Sequence, residues 1–143
     1  MRKLLLAGVV LLAAALGGLE QFAAPGPANA LADGDAIITA AFRDRREDLQ
    51  VRADGIVAQV LADDRDGSRH QRFILRLASG HTVLVAHNID LAPRIDGLRT
   101  GDRVAFNGVY EWNPRGGVVH WTHHDPQGRH EAGWLEHEGR RYQ

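Results

Sequence analysis

The segment from His120 to His137 holds the side chains best suited to chemistry in this 143-residue chain. It contains five of the eight histidines, two of the three tryptophans and several carboxylates. Neutral imidazoles beside carboxylates can bind a metal ion, move protons or hydrogen-bond one another. This mixture is not needed to build a strand, so it indicates a site.

A metal ion is one ligand that this segment could hold. In a strand running to His124, His120 and His124 would lie about 13 Å apart, too far for one ion unless the chain bends. A site with His124 and His130 is easier to form, because Pro126 and Gly128 favour a turn between them. Zinc or copper suits imidazole and carboxylate ligands, although the spacing matches no established zinc signature. The predicted metal ligands are His120, His123, His124, Asp125 and His130.

Two other interpretations of these histidines stay open. The imidazoles could hydrogen-bond backbone and carboxylate groups in a purely structural role. Alternatively, a metal held here could belong to a small hydrolase in which Glu131 is the catalytic base that activates water. The chain has no glycine-rich phosphate loop, nucleophile elbow or dinucleotide fingerprint that would indicate another enzyme class.

A second group of polar residues follows the third predicted strand. His87, Asn88 and Asp90 lie where that strand ends, a common location for binding residues, although Asn88 and Asp90 could also form an Asx-type turn. Arg69, His70 and Arg72 could meet an anionic ligand on a sheet face, or simply be solvated outward side chains. Trp134 is the tryptophan best placed for an exposed contact. Parity with apolar neighbours instead favours core positions for Tyr110 or Trp112, and for Trp121. The predicted ligand-binding residues are Arg69, His70, His87, Asn88, Asp90 and Trp134.

The elements that position these side chains can be predicted from hydrophobic periodicity. A helix is expected from Asp33, with Asp33 or Asp35 as its cap, to about Arg46. Five strands and a final hairpin follow, at Val51–Leu61, His70–Leu77, Thr82–His87, 101–112, Val118–His124 and Trp134–Tyr142. Gly55 inside the first strand indicates a bulge or bend. The predicted fold is mainly β: a small five-stranded antiparallel barrel, OB-fold-like, with an N-terminal helix and a C-terminal His-rich extension. Another antiparallel barrel is the alternative.

The first thirty residues have the pattern of a secretory signal peptide. Arg2 and Lys3 precede an apolar run from Leu4 to Leu16, and Ala28-Asn29-Ala30 provides a small-x-small cleavage site. An uncleaved anchor is the alternative, but the apolar run is shorter than the ~20 residues that span a bilayer. We therefore expect a signal peptide at 1–30, an N-terminal helix at 31–48 and the barrel domain at 49–143. The product would be periplasmic or secreted, without a membrane span.

Composition limits the partners. Removing residues 1–30 with Arg2, Lys3 and Glu20 changes the formal charge from −1 to −2, so generic nucleic-acid binding through charge is not expected. The chain has no cysteine and hence no disulfide, leaving a hydrophobic core or a metal to stabilise the domain. A small molecule, a glycan or a peptide is the partner class that remains.

Several strings resemble a known family. They are Gly67-Ser-Arg-His-Gln-Arg-Phe-Ile-Leu75, Ala86-His-Asn-Ile-Asp-Leu-Ala-Pro-Arg94, Tyr110-Glu-Trp-Asn113 and Gly116-Gly-Val-Val-His-Trp-Thr-His-His-Asp-Pro126. Over most of Asp48 to Tyr142 the chain is similar to a bacterial family of small exported proteins catalogued as a domain of unknown function. The resemblance implies export and brings no activity, substrate or catalytic residue.

These observations lead to three hypotheses. The first is an exported β-barrel binding module of unknown ligand, whose site lies at the end of strand three and the His-rich segment, with metal assistance. The second is the small metal-dependent hydrolase, which differs by keeping an open coordination position for water. The third is a structural envelope protein whose histidines respond to pH, because unperturbed imidazoles titrate near ~6.5.

Overall fold

One helix, α1 (Pro27–Arg43), opens the part of the chain that the computed structural model describes, residues 26–143. It starts six residues before the predicted Asp33, because Pro27 is tolerated in a first turn, where its missing N–H has no partner to lose. Asp35 is therefore inside the helix rather than its cap, and its carboxylate accepts hydrogen bonds from Ser79. Most of the predicted signal peptide, residues 1–25, lies outside the described residues.

Seven strands follow the helix, close to the predicted positions. They are β1 (Leu49–Val60), β2 (His70–Arg76), β3 (Thr82–Asn88), β4 (Arg103–Glu111), β5 (Val118–His120), β6 (Trp134–His137) and β7 (Arg140–Tyr142). Side chains alternate between buried and accessible along β2 and β3, as the period of a half-buried strand requires.

The first five strands close into a barrel in the order β1-β2-β3-β5-β4, with β4 returning to β1. This is the predicted mainly β, OB-like architecture, but the barrel is mixed rather than antiparallel. β3 and β5 run parallel, while the other neighbouring pairs are antiparallel. A closed ring with an odd number of strands cannot alternate direction throughout, so one parallel pair is unavoidable.

β1 closes the barrel by pairing with β4 on one side and with β2 on the other. It pairs with β4 up to Ile56 and with β2 from Ile56 onward, and its register shifts between Val57 and Gln59. Gly55 precedes this change of partner, and a Cβ there would lie 2.7 Å from the Arg76 carbonyl oxygen. The irregularity predicted for this strand is present, but it lies at Val57–Gln59, just after Gly55, rather than at the glycine itself.

The core lies inside the barrel and extends to α1 and the C-terminal hairpin. The hairpin turns at Glu138 and Gly139, both with positive φ, as a type I′ turn requires. Its β6 pairs with β4, which adds the C-terminal segment to the sheet. The buried apolar side chains come from every layer and include Ile38, Ala41, Val51, Ala53, Val57, Phe73, Leu75, Val83, Val85, Val104, Phe106, Tyr110, Val119, Leu135 and Tyr142. None of the helices in residues 26–143 is long and apolar enough to cross a bilayer.

β5 is shorter than predicted. It ends at His120 instead of continuing to His124, because Trp121 has a φ of 53° and leaves the extended conformation. The side chains after His120 therefore do not alternate between two faces as they would in a strand: Thr122 and His123 are consecutive and both buried. The chain instead enters a long loop, residues 121–133, which we call the His-loop.

Candidate functional site

His87 is the buried hydrogen-bonding centre beneath the His-loop. Its Nδ1 lies 2.7 Å from Thr122 Oγ1, and its Nε2 lies 2.9 Å from the Pro93 carbonyl oxygen. Because a carbonyl only accepts, Nε2 carries the proton and Nδ1 accepts from the Thr122 hydroxyl. Burial, with a smaller effect of nearby His123 and His70, lowers the pKa of His87 from 6.5 to about 4. The neutral imidazole thus links the His-loop, through Nδ1, to the connection between β3 and β4, through Nε2.

The other residues predicted around His87 are brought together but bond mainly to one another. Asp90 accepts hydrogen bonds from the backbone N–H and the Nε of Arg69, at 2.9 and 2.7 Å. These bonds lower the pKa of the Asp90 carboxyl. Asn88 Oδ1 accepts from the Asp90 N–H, which is the Asx-type turn, and His70 Nδ1 lies 2.9 Å from the Ser68 carbonyl oxygen. The hydrogen bonds between Arg69 and Asp90 link the start of β2 to the end of β3.

The His-loop is anchored at both ends. Thr122 is held by His87, and the Gly133 N–H donates to the His123 carbonyl at 2.9 Å. Gly133 lies so close to the Trp121 carbonyl oxygen that a Cβ at this position would clash with it. Asn107, on β4, donates to the Ala132 carbonyl at 3.2 Å. The unusual backbone of Trp121 is therefore fixed by the bond that holds its neighbour Thr122 and by the close approach of Gly133.

Asp125 organises the middle of the loop. Its carboxylate accepts hydrogen bonds from the backbone N–H groups of Gln127, Arg129 and His130, at 2.9, 2.8 and 3.1 Å. These donors, with that of Gln127 contributing most, lower the pKa of the Asp125 carboxyl. A carboxylate with three backbone donors orders a loop that has no regular structure of its own.

The ordered loop presents a cleft of about 440 Å³. The Trp121 and His130 rings stack with their centroids 4.3 Å apart and their planes at 24°. Leu91, from the connection between β3 and β4, contributes an apolar side chain that is 42% exposed. The complete lining is Leu91, Trp121, Asp125, Pro126, Gln127, Arg129 and His130.

The predicted metal ligands do not converge. His120 is on β5, with its Nε2 3.5 Å from Glu111 Oε1. His123 is buried, with its Nδ1 2.8 Å from the His124 carbonyl oxygen. His124 and His130 are exposed. Within residues 26–143, no three histidine or acidic side chains are grouped so that they could hold a metal ion.

Glu131, the base of the hydrolase hypothesis, is engaged elsewhere. It accepts hydrogen bonds from Arg52 Nη2 at 2.8 Å and from Asn107 Nδ2 at 3.2 Å. These bonds, that of Arg52 first, lower the pKa of the Glu131 carboxyl. A lower pKa makes a weaker base. Its contacts tie the end of the His-loop to β1 and β4.

Trp134, the predicted exposed tryptophan, lies outside the cleft. It is half-buried on β6, with the Arg141 guanidinium carbon 4.2 Å from its ring centroid. The sequence pattern predicts a core position for Trp121 and indicates neither Leu91 nor Arg129 as a site residue. The available signal was the turn sequence Asp125-Pro-Gln-Gly128, which predicts a loop directly after Trp121. The exposure of Leu91 depends on how two distant connections meet, and no local pattern reports it.

The comparisons with known proteins identify a family. The chain belongs to the family described as "Protein of unknown function (DUF3465)", whose sequence model matches residues 23–143. A search of curated proteins found no match.

Proposed function

We propose that this member of the DUF3465 family is an exported binding module that takes a small ring-shaped ligand, such as a sugar, in the His-loop cleft. The observation that carries the proposal is Trp121, a bulky residue at positive φ whose ring stacks on the exposed His130. A non-glycine residue in this region is strained by roughly 1–3 kcal/mol, and such strain clusters at binding sites. Anchoring by His87 and Gly133 offsets this cost and keeps the indole at the surface.

The lining of the cleft suits a ligand with two kinds of surface. Trp121 and Leu91 offer apolar contact, while Gln127, Arg129 and His130 offer hydrogen-bond donors at its edge. A sugar ring combines an apolar face with polar groups around its rim, so it can use both sets at once. The volume of about 440 Å³ falls within the usual range of small-molecule sites, ~300–1,000 Å³.

Export is supported by the signal-peptide pattern of residues 1–30 and fits a glycan partner, because glycans are abundant outside the cytoplasm. The residues predicted at Arg69, His70, Asn88 and Asp90 would then have a supporting role, because their hydrogen bonds order the chain on either side of β2 and β3 near His87. Trp134, under Arg141, stays a separate candidate contact on β6.

The test is an NMR titration of the purified chain with a panel of monosaccharides and oligosaccharides. A sugar that shifts the Trp121 indole N–H resonance, and loses at least about tenfold in affinity on Trp121→Ala, would support the site. Trp134→Ala, which removes a tryptophan outside the cleft, is the matched control and should leave the affinity at the Trp121 site unchanged. Sugars that bind equally well to the Trp121→Ala protein, or no binding across the panel, would contradict the proposal.

A metal-assisted form of this site would use His124 and His130, the exposed imidazoles of the loop, with zinc or copper. Elemental mass spectrometry of the untagged protein tests it directly. Stoichiometric metal that disappears in His124→Ala and His130→Ala would add the ion to the site. A protein free of metal, which also fails to take up added zinc or copper, would leave recognition to the side chains alone.

A further inference from the structure

A second pocket lies on the outer face of β2 and β3, between the start of the β1–β2 connection and the β4–β5 loop. It has a volume of about 180 Å³. Its lining is Leu61, Arg72, Ile74, Thr82, Val83, Leu84, Asn113, Arg115 and Gly117. None of these residues belongs to the His-loop.

The base of this pocket is apolar. Ile74 and Leu84 are cross-strand partners, and Leu84 is in turn aligned with Val118 on β5. Their neighbours along each strand, Phe73 and Val85, are buried in the core. Alternation thus directs Ile74 and Leu84 outward. Contact with an apolar ligand there would remove apolar surface from water, which is favourable.

The rim of the pocket is cationic. Arg72 donates from Nε and Nη2 to the Ala62 carbonyl oxygen, at 3.2 and 3.1 Å, and forms no ion pair among the described residues. The Arg115 guanidinium is exposed and has neither a hydrogen bond nor an ion pair within residues 26–143. The lining contains two arginines and no carboxylate. In a chain with a net charge of −1, this is a local concentration of unneutralised positive charge.

The loop that carries Arg115 has a preorganised backbone. Asn113 Oδ1 accepts hydrogen bonds from the backbone N–H groups of Arg115 and Gly117, at 2.9 and 3.0 Å. The Gly116 carbonyl oxygen lies 2.8 Å from His81 Nε2 and accepts from the Tyr110 hydroxyl at 3.2 Å. The backbone is thus held in place while the guanidinium is left without a partner, which lowers the ordering cost of binding.

We propose that this pocket binds a small amphiphilic anion, a carboxylate or phosphate carried on a short apolar chain. The planar guanidinium of arginine matches both anions through paired N–H donors. Ile74, Leu84 and Leu61 would cover the chain. The volume is below that of a typical drug-sized site, which restricts the apolar part to a short chain.

The experiment is a titration of the ¹⁵N-labelled full chain with hexanoate, hexyl phosphate, hexanol and inorganic phosphate. Hexanoate or hexyl phosphate should shift the amides of β2, β3 and residues 113–117, and should bind about tenfold more tightly than hexanol or inorganic phosphate. The preferred anion identifies the head group. Equal binding of hexanol and hexanoate, shifts confined to other surfaces, or no shifts at all would overturn the proposal.

Two variants and two controls complete the test. Arg115→Gln should weaken the preferred anion about tenfold without affecting the fold, since this side chain bonds to nothing within the described chain. Arg72→Gln should weaken it as well. Arg76→Gln, an exposed arginine on the same strand outside the pocket, should bind like the wild type. Trp121→Ala should also leave this affinity unchanged, so the proposals for this pocket and for the His-loop cleft are tested independently.

Discussion

His87 shows how a titratable residue can serve the fold through its neutral form. Its imidazole connects β3, the connection at Pro93 and the His-loop at Thr122 without a charge. A protonated ring could no longer accept from the Thr122 hydroxyl, and it would be a cation buried away from water. Histidine, a residue type that suggests proton transfer or metal binding in the sequence, therefore has a structural role at this position.

The lowered pKa of His87 predicts a pH dependence of stability. The unfolded chain protonates near pH 6.5 and the folded chain only near pH 4, so between these values the unfolded state binds more protons. The free energy of unfolding should fall by about 3 kcal/mol as the pH decreases through this window. Urea unfolding at pH 7.5, 6, 5 and 4 measures it.

His87→Gln is the control for this prediction. The glutamine keeps hydrogen-bonding groups but does not titrate, so the variant should be less stable at pH 7.5 and should lose less stability down to pH 4. His70 and His123 are present in both proteins, and the difference between the two curves isolates His87. An unchanged slope in the variant would assign the effect to other groups.

The strain at Trp121 can be measured independently of any ligand. At positive φ, glycine is favoured over alanine, so Trp121→Gly should be more stable than Trp121→Ala by about 1 kcal/mol. Trp134 provides the matched comparison, because it lies within β6. There the order should reverse, with Trp134→Ala the more stable, because Trp134 pairs with Asn107 in the sheet and glycine is less favourable than alanine in a strand. The same order at both positions would contradict the strain.

At the level of the elements, the loops are more constrained than their sequences suggest. The β4–β5 loop combines an asparagine turn with two glycines at positive φ, and Gly117 packs against the Tyr110 ring. The His-loop uses a carboxylate for the same purpose, through the three backbone bonds of Asp125. Both loops hold exposed side chains on a fixed backbone.

Gly117→Ala should destabilise the protein by about 3 kcal/mol or more, because it adds a clash with Tyr110 to an unfavourable φ of 97°. Gly128→Ala is the control: its φ is 65°, but nothing lies within 4 Å of a Cβ there. That variant should lose only about 1–2 kcal/mol. Thermal and urea unfolding of both proteins provide the comparison, and equal losses would remove the proposed role of the Tyr110 contact.

The elements were predictable from the sequence where one local signal decides them. Alternation predicts β2 and β3, and the final hairpin at Trp134–Tyr142 is also where the sequence predicts it. The helix start and the end of β5 were wrong, since each depends on a residue with an unusual backbone role, Pro27 and Trp121. The sequence predicts which segment carries the site, but not which residues line the cleft. Trp121 follows the buried parity of Val119, and only its left-handed backbone turns it into the cleft.

At the scale of the molecule, the C-terminal hairpin is part of the core rather than an appendage. Leu135 is fully buried, and β6 extends the sheet from β4. Leu135→Ala should cost about 2–5 kcal/mol, as core truncations of this kind do. Leu91→Ala, the same substitution at a 42% exposed position, should cost less than about 1 kcal/mol. Similar losses for the two variants in urea unfolding would show that the hairpin packs loosely.

The pairing of β1 with β4 also determines when the protein can acquire its site. Leu49 pairs with Tyr110, and Ile56 with Arg103, so the barrel closes only through contacts between distant parts of the chain. Contacts of this kind slow folding, and β-rich domains dominated by them fold in milliseconds to seconds. The His-loop follows β5 and is anchored to β4 through Asn107. We therefore expect the cleft to be among the last parts of the molecule to form, after the barrel that supports it has closed.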